Sequence, residues 1–413
     1  MRLVAVPLAS PVHGREYYES LLSQIKPQLI GAGFEVTDIV DSLEKARKVS
    51  DAHTRDMILL VFLTGGTSRL AREIILRNNY HYAMGLCHGK HNSFPSALSA
   101  RARLAIAKVR LVPYFCESLG RCGGTLSRVS RVANAVRALK TSRVGVISEG
   151  VVTEIDAFSK AFGSEVITID YKEFEEYVSK ASQSYVKEAR EKLSNLGLKG
   201  VEASSLEEAL EIYGGMRLLV EDKKLNALAV DCFPYIVKRG VTPCLALALL
   251  NSEGVVAACE ADLTALSLMI MSKELTGKMG WIANPSTFRE DVIVLAHCTI
   301  SLDMVSKGKV VPHFETGKPY SLAAELEGKV YTMASISYDF KTLAATKVEV
   351  LESGMLSEER CRTQAVLKLG FPAERVLRTA PANHHVLIPG DVRRELRDIC
   401  ELLGIRYLTY NSF

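Results

Sequence analysis

The segment GVVAACEADLTALSLMIMSKELTG, Gly254 to Gly277, is the most informative part of the sequence about its fold. Residues 255–259 are small or apolar, Glu260 and Asp262 follow at once, and residues 263–275 then take a helical period. A buried strand that runs into two carboxylates and a helix is typical of an open α/β sheet, whose ligands lie at the carboxyl ends of the strands. A carboxylate in that place requires a cation, a hydrogen-bond donor or a raised pKa.

Similar alternation of strand and helix patterns extends on both sides of this segment. The continuous apolar run at residues 57–63, which ends in the turn TGGT, is typical of a central parallel strand. We therefore predict an α/β fold with two doubly wound parallel-sheet domains, residues 1–142 and 143–301. Strands near 279–283 and 292–296 are expected to close the second set.

The pattern changes at about residue 302, where short β-like runs are separated by turns. Such runs predict an antiparallel unit. We therefore expect a smaller β-rich, barrel-like C-terminal domain over residues 302–413.

Composition narrows the functional classes. The chain has 413 residues and 48% hydrophobic residues, and its net charge of +4 leaves no basic surplus of the kind that a dedicated nucleic-acid protein concentrates. Nine cysteines occur without a CxxC pair, which favours reduced thiols in a chain of this size. No apolar segment approaches the roughly 20 residues of a membrane span. We expect a cytoplasmic protein that contacts neither nucleic acid nor membrane.

Glu260 and Asp262 are the strongest candidates for chemistry. Two carboxylates at one strand end could bind a divalent metal or act as a general acid and base. Asp262 could equally be the N-cap of the following helix, with its side chain bonded to a first-turn N–H. Both uses draw on the same lone pairs, so Asp262 is not expected to serve both fully.

Histidines supply the second group of candidates. His384 and His385 lie in the segment APANHHVLIPGD, and adjacent side chains on an extended chain point to opposite faces, so one of them at most should face a shared site. A loop pair bonded to local backbone is the alternative. His297, in VLAHCTIS, follows an apolar strand and is a candidate for ligand contact.

The order of several motifs resembles the metal-dependent aldose–ketose isomerases, which include L-fucose isomerase and, more distantly, L-arabinose isomerase. The chain looks like the compact, fucose isomerase-like branch. The motifs, in chain order, are LTGGTS, NSFPSAL, DCFPYI, TPCLALALLNSEG, ACEADLTAL, ELTG, LAHC, PHFETGK, CRTQ and ANHHVLIPGD.

The resemblance implies a sugar isomerase with Mn²⁺ (or Mg²⁺) as its cofactor, and a cis-enediolate mechanism is the hypothesis that follows. No cluster of arginines marks a phosphate site, which favours a free sugar as substrate. It places Asp262 and His384 on the metal-binding aspartate and histidine of the family. The family glutamate that follows C-x-P is replaced here by Tyr235. Glu260 is the favoured substitute as base and metal ligand, with Asp231 in reserve.

The expected site therefore has Glu260 and Asp262 as catalytic residues and Asp262, His384 and Glu260 as metal ligands. The expected contacts to the sugar are made by His297, Asn383, His385 and Tyr235. The resemblance also implies a homo-oligomer, a trimer or a hexamer. Two alternatives stay open: a non-catalytic sugar-binding or regulatory protein, suggested by Tyr235, and a sugar epimerase.

Overall fold

The computed structural model describes residues 1–411, which form two compact units. The first unit contains residues 1–137 and 395–404, and the second contains residues 138–394 and the chain from Ile405. The domain boundaries at 142/143 and 301/302 stay predictions.

The first unit is built on a five-stranded parallel sheet of order β2-β1-β3-β4-β5. Its strands are β1 (Leu3–Leu8), β2 (Glu35–Val36), β3 (Met57–Phe62), β4 (Tyr82–His88) and β5 (Arg110–Cys116). The helices of this part of the chain are α1 (Arg15–Gly31), α2 (Leu43–Ala52), α3 (Ser68–Arg77), α4 (Ser93–Ile106) and α5 (Gly123–Thr141). Every residue of β3 is buried, as its unbroken apolar sequence requires of a central strand.

Cys116 and Cys122 are joined by a disulfide, with their Cα atoms 5.4 Å apart. The prediction of reduced thiols is wrong for this pair, and the other seven cysteines are free. The spacing of the two cysteines in CESLGRC does not predict the disulfide, because the pairing depends on a short 3-10 turn at Leu119–Arg121 that brings the chain back to the end of β5.

The second unit begins with a four-stranded parallel sheet of order β7-β6-β8-β9. Its strands are β6 (Arg143–Ile147), β7 (Glu165–Ile169), β8 (Ala227–Val230) and β9 (Val256–Cys259). The helices of this region are α6 (Ile155–Phe162), α7 (Tyr171–Ser179), α8 (Gln183–Lys192), α9 (Ala203–Asp222), α10 (Cys232–Arg239), α11 (Cys244–Ser252) and α12 (Leu263–Thr276). Both parallel sheets with their helices agree with the predicted α/β class.

A closed barrel completes the second unit. Its strands follow the order β14-β17-β10-β11-β16-β15, and β14 pairs with β15 to close the ring, while β18 lies parallel to β15. The bounds are β10 (Trp281–Arg289), β11 (Val292–His297), β14 (Val330–Ile336), β15 (Thr342–Gly354), β16 (Thr363–Lys368), β17 (His385–Pro389) and β18 (Arg406–Thr409), and a separate hairpin joins β12 (Val305–Val311) to β13 (Ser321–Leu326). Two helices, α13 (Glu374–Thr379) and α14 (Arg393–Leu403), lie between these last strands in the sequence. The predicted C-terminal barrel is confirmed.

The strands predicted near 279–283 and 292–296 do not close the parallel sheet. They are β10 and β11, which pair antiparallel with each other and belong to the barrel. Arg289 pairs with Val292 across a two-residue turn, in which Glu290 has a positive φ of 52°. A two-residue turn of this kind is typical of a β-hairpin. The sequence did not predict the hairpin, because an apolar strand in a parallel sheet and one in a barrel look alike over a few residues.

Helix α12 connects the two halves of the second unit. Its side chains are buried on almost all sides, so it has no polar face of the kind that surface helices show. It packs against β9, β14 and β17, and its first residue therefore stands where the parallel sheet meets the barrel. In residues 1–411 no helix is both long and apolar enough to cross a membrane.

The contact between α7 and α9 gives a prediction about stability. A Cβ on Gly215 would lie 2.6 Å from Cγ2 and 2.7 Å from Cα of Val178. Gly215→Ala should therefore destabilise the protein by about 1–3 kcal/mol through overpacking. Calorimetry should show a melting temperature several degrees lower. Gly124→Ala, where a Cβ meets nothing within 4 Å, is the helical control and should not lower it. An unchanged melting temperature for Gly215→Ala would show that the two helices can separate freely.

Candidate metal centre

A tight turn between β9 and α12 presents the Glu260 side chain. Glu260 and Ala261 have φ values of 56° and 48°, the left-handed pair that a type I′ turn requires. The Asp262 N–H donates to the Cys259 carbonyl at 3.2 Å, and the Ala261 N–H donates to the Val230 carbonyl at 2.8 Å. Consecutive left-handed conformations in residues other than glycine are strained and persist only where the surroundings enforce them. The turn fixes Glu260 at the carboxyl edge of the parallel sheet.

Two histidines approach one oxygen of Glu260. Nε2 of His297 lies 3.4 Å from Glu260 Oε1, and Nε2 of His384 lies 3.6 Å from the same atom. The imidazole rings are 5.6 Å apart. One ligand atom from each of the three residues can be chosen so that all lie within 4.8 Å of one another. We call these three residues the Glu260 cluster.

Several nitrogens of the cluster lack hydrogen-bond partners. Both ring nitrogens of His297 and Nε2 of His384 are buried and make no hydrogen bond within residues 1–411. Buried polar atoms are nearly always satisfied in folded proteins, and an orphaned group calls for an explanation such as an ion. The donor set of one carboxylate and two imidazoles therefore fits a divalent cation.

Asp262 lies behind the cluster. Its Oδ1 accepts from the Ala265 N–H at 2.8 Å and from the Thr264 hydroxyl at 2.5 Å, so it is the N-cap of α12. Its Oδ2 lies 2.6 Å from Nδ1 of His384. A carboxylate bonded to one imidazole nitrogen orients the ring so that the other nitrogen can face a metal. Both carboxylate oxygens of Asp262 are thus engaged, and Asp262 does not belong to the cluster.

Burial and neighbouring charges shift the pKa values of these groups in opposite directions. Burial lowers the pKa of His384, but the hydrogen bond to Asp262 and the charges of Asp262 and Glu260 outweigh it and raise that pKa to about 9. Burial likewise raises the pKa of the Glu260 carboxyl, yet the imidazoles of His297 and His384 hold it well below its usual value. The pKa of Asp262 is lowered in the same way, chiefly by His384 against the effect of burial. The carboxylates are therefore ionised and matched to positive charge.

His385 and Asn383 lie outside the cluster. His385 is fully buried, with Nε2 2.8 Å from the Tyr410 hydroxyl and Nδ1 3.1 Å from the Asn383 carbonyl, and burial lowers its pKa to about 4. The Asn383 amide donates to Asn284 Oδ1 at 2.6 Å. Both residues line a separate cavity of about 570 Å³, which no residue of the cluster lines. The structure does not bring these two predicted sugar contacts to the cluster.

Tyr235 does not reach the cluster either. Its hydroxyl donates to Glu175 Oε1 at 2.7 Å, and its ring packs against Tyr171 and Phe174. The side chain is 1% exposed and belongs to the hydrophobic core around α7 and α10. Asp231, the reserve carboxylate, accepts from the Ser148 hydroxyl at 3.2 Å.

His297 has a larger part than the sequence suggested. We expected His297 to contact the sugar and Asp262 to bind the metal. The structure places His297, and not Asp262, in the Glu260 cluster. The available signal was its position at the end of an apolar strand. Its pairing with Glu260 could not be predicted, because β11 belongs to the barrel and not to the sheet that carries Glu260.

Comparison with known proteins gives one informative similarity. The chain is 24% identical over 310 residues to a sulfoquinovose isomerase of Clostridium sp. (strain MSTE9), and the match covers 68% of this chain and 67% of that protein. No protein-family model matches the chain.

The raised pKa of His384 predicts a pH dependence of the metal-free protein. A pKa that is raised from about 6.5 to about 9 on folding gives stability that is fully present below pH 6.5 and is lost as the pH rises through 9. With chelator present, the melting temperature should fall over that interval, and the His384 Cε1–H signal in NMR should titrate near 9. Asp262→Asn should reduce both effects. A His384 midpoint at or below 6.5 would contradict the ion pair.

The two oxygens of Asp262 can be tested separately. Asp262→Asn keeps an N-capping side chain but removes the charge that faces His384, so the melting temperature should change little only above pH 9, where that charge no longer stabilises the fold, and Mn²⁺ affinity should fall about 10–100-fold. Asp262→Ala loses the cap as well and should destabilise the protein by a further ~1 kcal/mol. Thermal unfolding and calorimetric Mn²⁺ titration measure the two effects. Equal Mn²⁺ affinity in wild type and Asp262→Asn would exclude an orienting role.

Proposed function

We propose that the protein is a metal-dependent aldose–ketose isomerase that acts on a free sugar through a cis-enediolate. The observation that carries this proposal is the Glu260 cluster, in which three ligand atoms converge while buried imidazole nitrogens lack partners. The similarity to a sulfoquinovose isomerase supports sugar isomerisation as the general class of reaction.

Glu260, His297 and His384 would hold the cation. Mg²⁺ prefers oxygen ligands, whereas Mn²⁺ also accepts imidazole, so two histidines in the cluster favour Mn²⁺ over Mg²⁺. A bound divalent cation supplies Lewis acidity that polarises the sugar carbonyl and stabilises the negative charge of the enediolate.

Glu260 is the residue that would transfer the proton. Both histidines face Oε1, so Oε2 is available for the substrate. Oε2 takes the proton from the carbon beside the aldehyde, and the same carboxyl returns it to the former carbonyl carbon on the same face. The hydroxyl proton on the carbon that becomes the ketone moves to the former aldehyde oxygen, which completes the conversion of aldose to ketose. Asp262 takes part by holding the ring of His384 and is a positioning residue in this proposal.

The position of Tyr235 bears on the alternative of a sugar-binding protein without activity. That alternative rests on the loss of the family glutamate, yet Tyr235 is packed in the core and does not fill the cluster with a phenol. Glu260 therefore remains free to serve as the carboxylate of the site.

The proposal predicts a separation between two variants. Glu260→Gln should lower turnover of aldoses by about 10³-fold or more, because the proton acceptor is lost, and should weaken Mn²⁺ binding. Tyr235→Phe, which removes only the hydrogen bond to Glu175, is the matched control and should keep both activity and Mn²⁺ binding. The measurement is ketose formation from a panel of aldoses by the Mn²⁺-loaded protein, with metal content determined in parallel.

Three outcomes of that assay would contradict the proposal in different ways. Turnover that survives in Glu260→Gln would exclude Glu260 as the base. Stoichiometric Mn²⁺ without turnover of any aldose would indicate the binding protein. A stereoisomer that keeps the aldehyde in place would indicate the epimerase.

A further inference from the structure

The chain beyond His297 brings further polar side chains into the neighbourhood of the Glu260 cluster. Cys298 follows His297 directly, is buried, and its thiol contacts the side chains of Cys361 and His313. His313 is itself buried, with Nδ1 3.1 Å from the Thr316 hydroxyl. The segment from residue 312 to residue 320, which we call the 312–320 loop, therefore packs beside Cys298.

The 312–320 loop is held in place by its own backbone and by the start of α11. The His313 N–H donates to the Lys318 carbonyl at 2.8 Å, and the Gly317 N–H donates to the His313 carbonyl at 3.0 Å. The Thr242 N–H and hydroxyl donate to the carbonyls of Pro319 and Tyr320. Side chains at the tip of the loop are thus presented from a fixed backbone.

Glu315 stands at this tip with an exposed, unpaired carboxylate. Within residues 1–411 it has no ion-pair partner, although its charge is close enough to interact with those of Glu260 and His297. Partial burial raises the pKa of Glu315, and the neighbouring His313 opposes that effect. A carboxylate in this position can accept hydrogen bonds from the hydroxyl groups of a ligand beside it.

Three basic side chains that flank the 312–320 loop are already engaged, whereas the exposed Lys318 of the loop itself has no ion-pair partner within residues 1–411. Arg362 donates to the Pro312 carbonyl at 2.9 Å and to Glu358 at 3.1 Å. Lys238 is paired with Glu149, and Arg239 on the same helix is paired with Glu175. These cations are neutralised within the second unit, whereas Glu315 is not.

Phe233 supplies an apolar surface beside the 312–320 loop. It lies in the first turn of α10, directly after β8 reaches the carboxyl edge of the sheet, and 37% of it is exposed. Its ring stands edge-on to that of His313 with the centroids 6.1 Å apart. An exposed aromatic ring beside polar groups is suited to the C–H face of a sugar, as aromatic side chains in ligand clefts commonly are.

We propose that Phe233 and Glu315 form the subsite for the hydroxylated remainder of the substrate and select an uncharged sugar chain. Phe233 packs against the C–H face of the chain, and Glu315 accepts hydrogen bonds from its hydroxyls. The same carboxylate repels a terminal sulfonate or phosphate, so specificity includes a repulsive element. This inference rests on the proposed function, because the Glu260 cluster is what would hold the carbonyl end.

Binding measurements test the subsite without requiring turnover. Calorimetry with the Mn²⁺-loaded protein would compare D-glucitol, D-mannitol and galactitol with D-glucitol 6-phosphate and with sulfoquinovose. Wild type should bind at least one uncharged hexitol more tightly than either anion. Glu315→Gln should weaken that hexitol about tenfold, the scale of one lost hydrogen bond to a charged group. Phe233→Ala should weaken it by a similar factor of about ten, because apolar contact is lost. Glu315→Lys should reverse the preference towards the anions.

The control is Glu358→Gln, which removes an exposed carboxylate that is bound to Arg362 outside this subsite. It should leave hexitol affinity unchanged. Equal hexitol affinity in wild type and Glu315→Gln, tighter binding of an anion by wild type, or no binding of any hexitol would each overturn the inference. The proposed function is judged separately by Mn²⁺ content and ketose formation, so either proposal can fail while the other stands.

Discussion

The second unit depends on the partly buried carboxylate of Glu260, which must be matched by positive charge. Glu260 is fixed by a left-handed turn at the end of β9, and two imidazoles from the barrel converge on one of its oxygens. A charge that is removed from water without a partner is strongly unfavourable, so the barrel and the parallel sheet must supply compensation where they meet. Helix α12 makes this possible, because it begins at the turn and packs against β17, the strand that follows His384.

The capping aspartate links local structure to the site. Asp262 starts α12 through one oxygen and orients His384 through the other. The same side chain therefore stabilises the helix on which the cluster depends and fixes one of the nitrogens that would face the cation. A site built in this way has its geometry set by the secondary structure around it.

The sequence predicted the class of fold and the principal acidic residues, since a buried strand, two carboxylates and a helical period are all local features. It placed the barrel at the end of the chain but assigned β10 and β11 to the wrong sheet, because apolar strands do not reveal their partners. Spacing alone could not distinguish whether Asp262 binds a metal or caps the helix. His297, His385 and Tyr235 were expected at the sugar, but the direction of each side chain depends on tertiary packing that no local pattern encodes.

Glu260, His297 and His384 are expected to hold one divalent cation together. Anomalous diffraction from crystals soaked in Mn²⁺ would locate that cation. We predict a single strong peak between Glu260 Oε1 and the Nε2 atoms of both histidines, with Asp262 bonded to His384 and not to the metal. A peak coordinated by other residues, or the absence of any peak at the cluster, would contradict it.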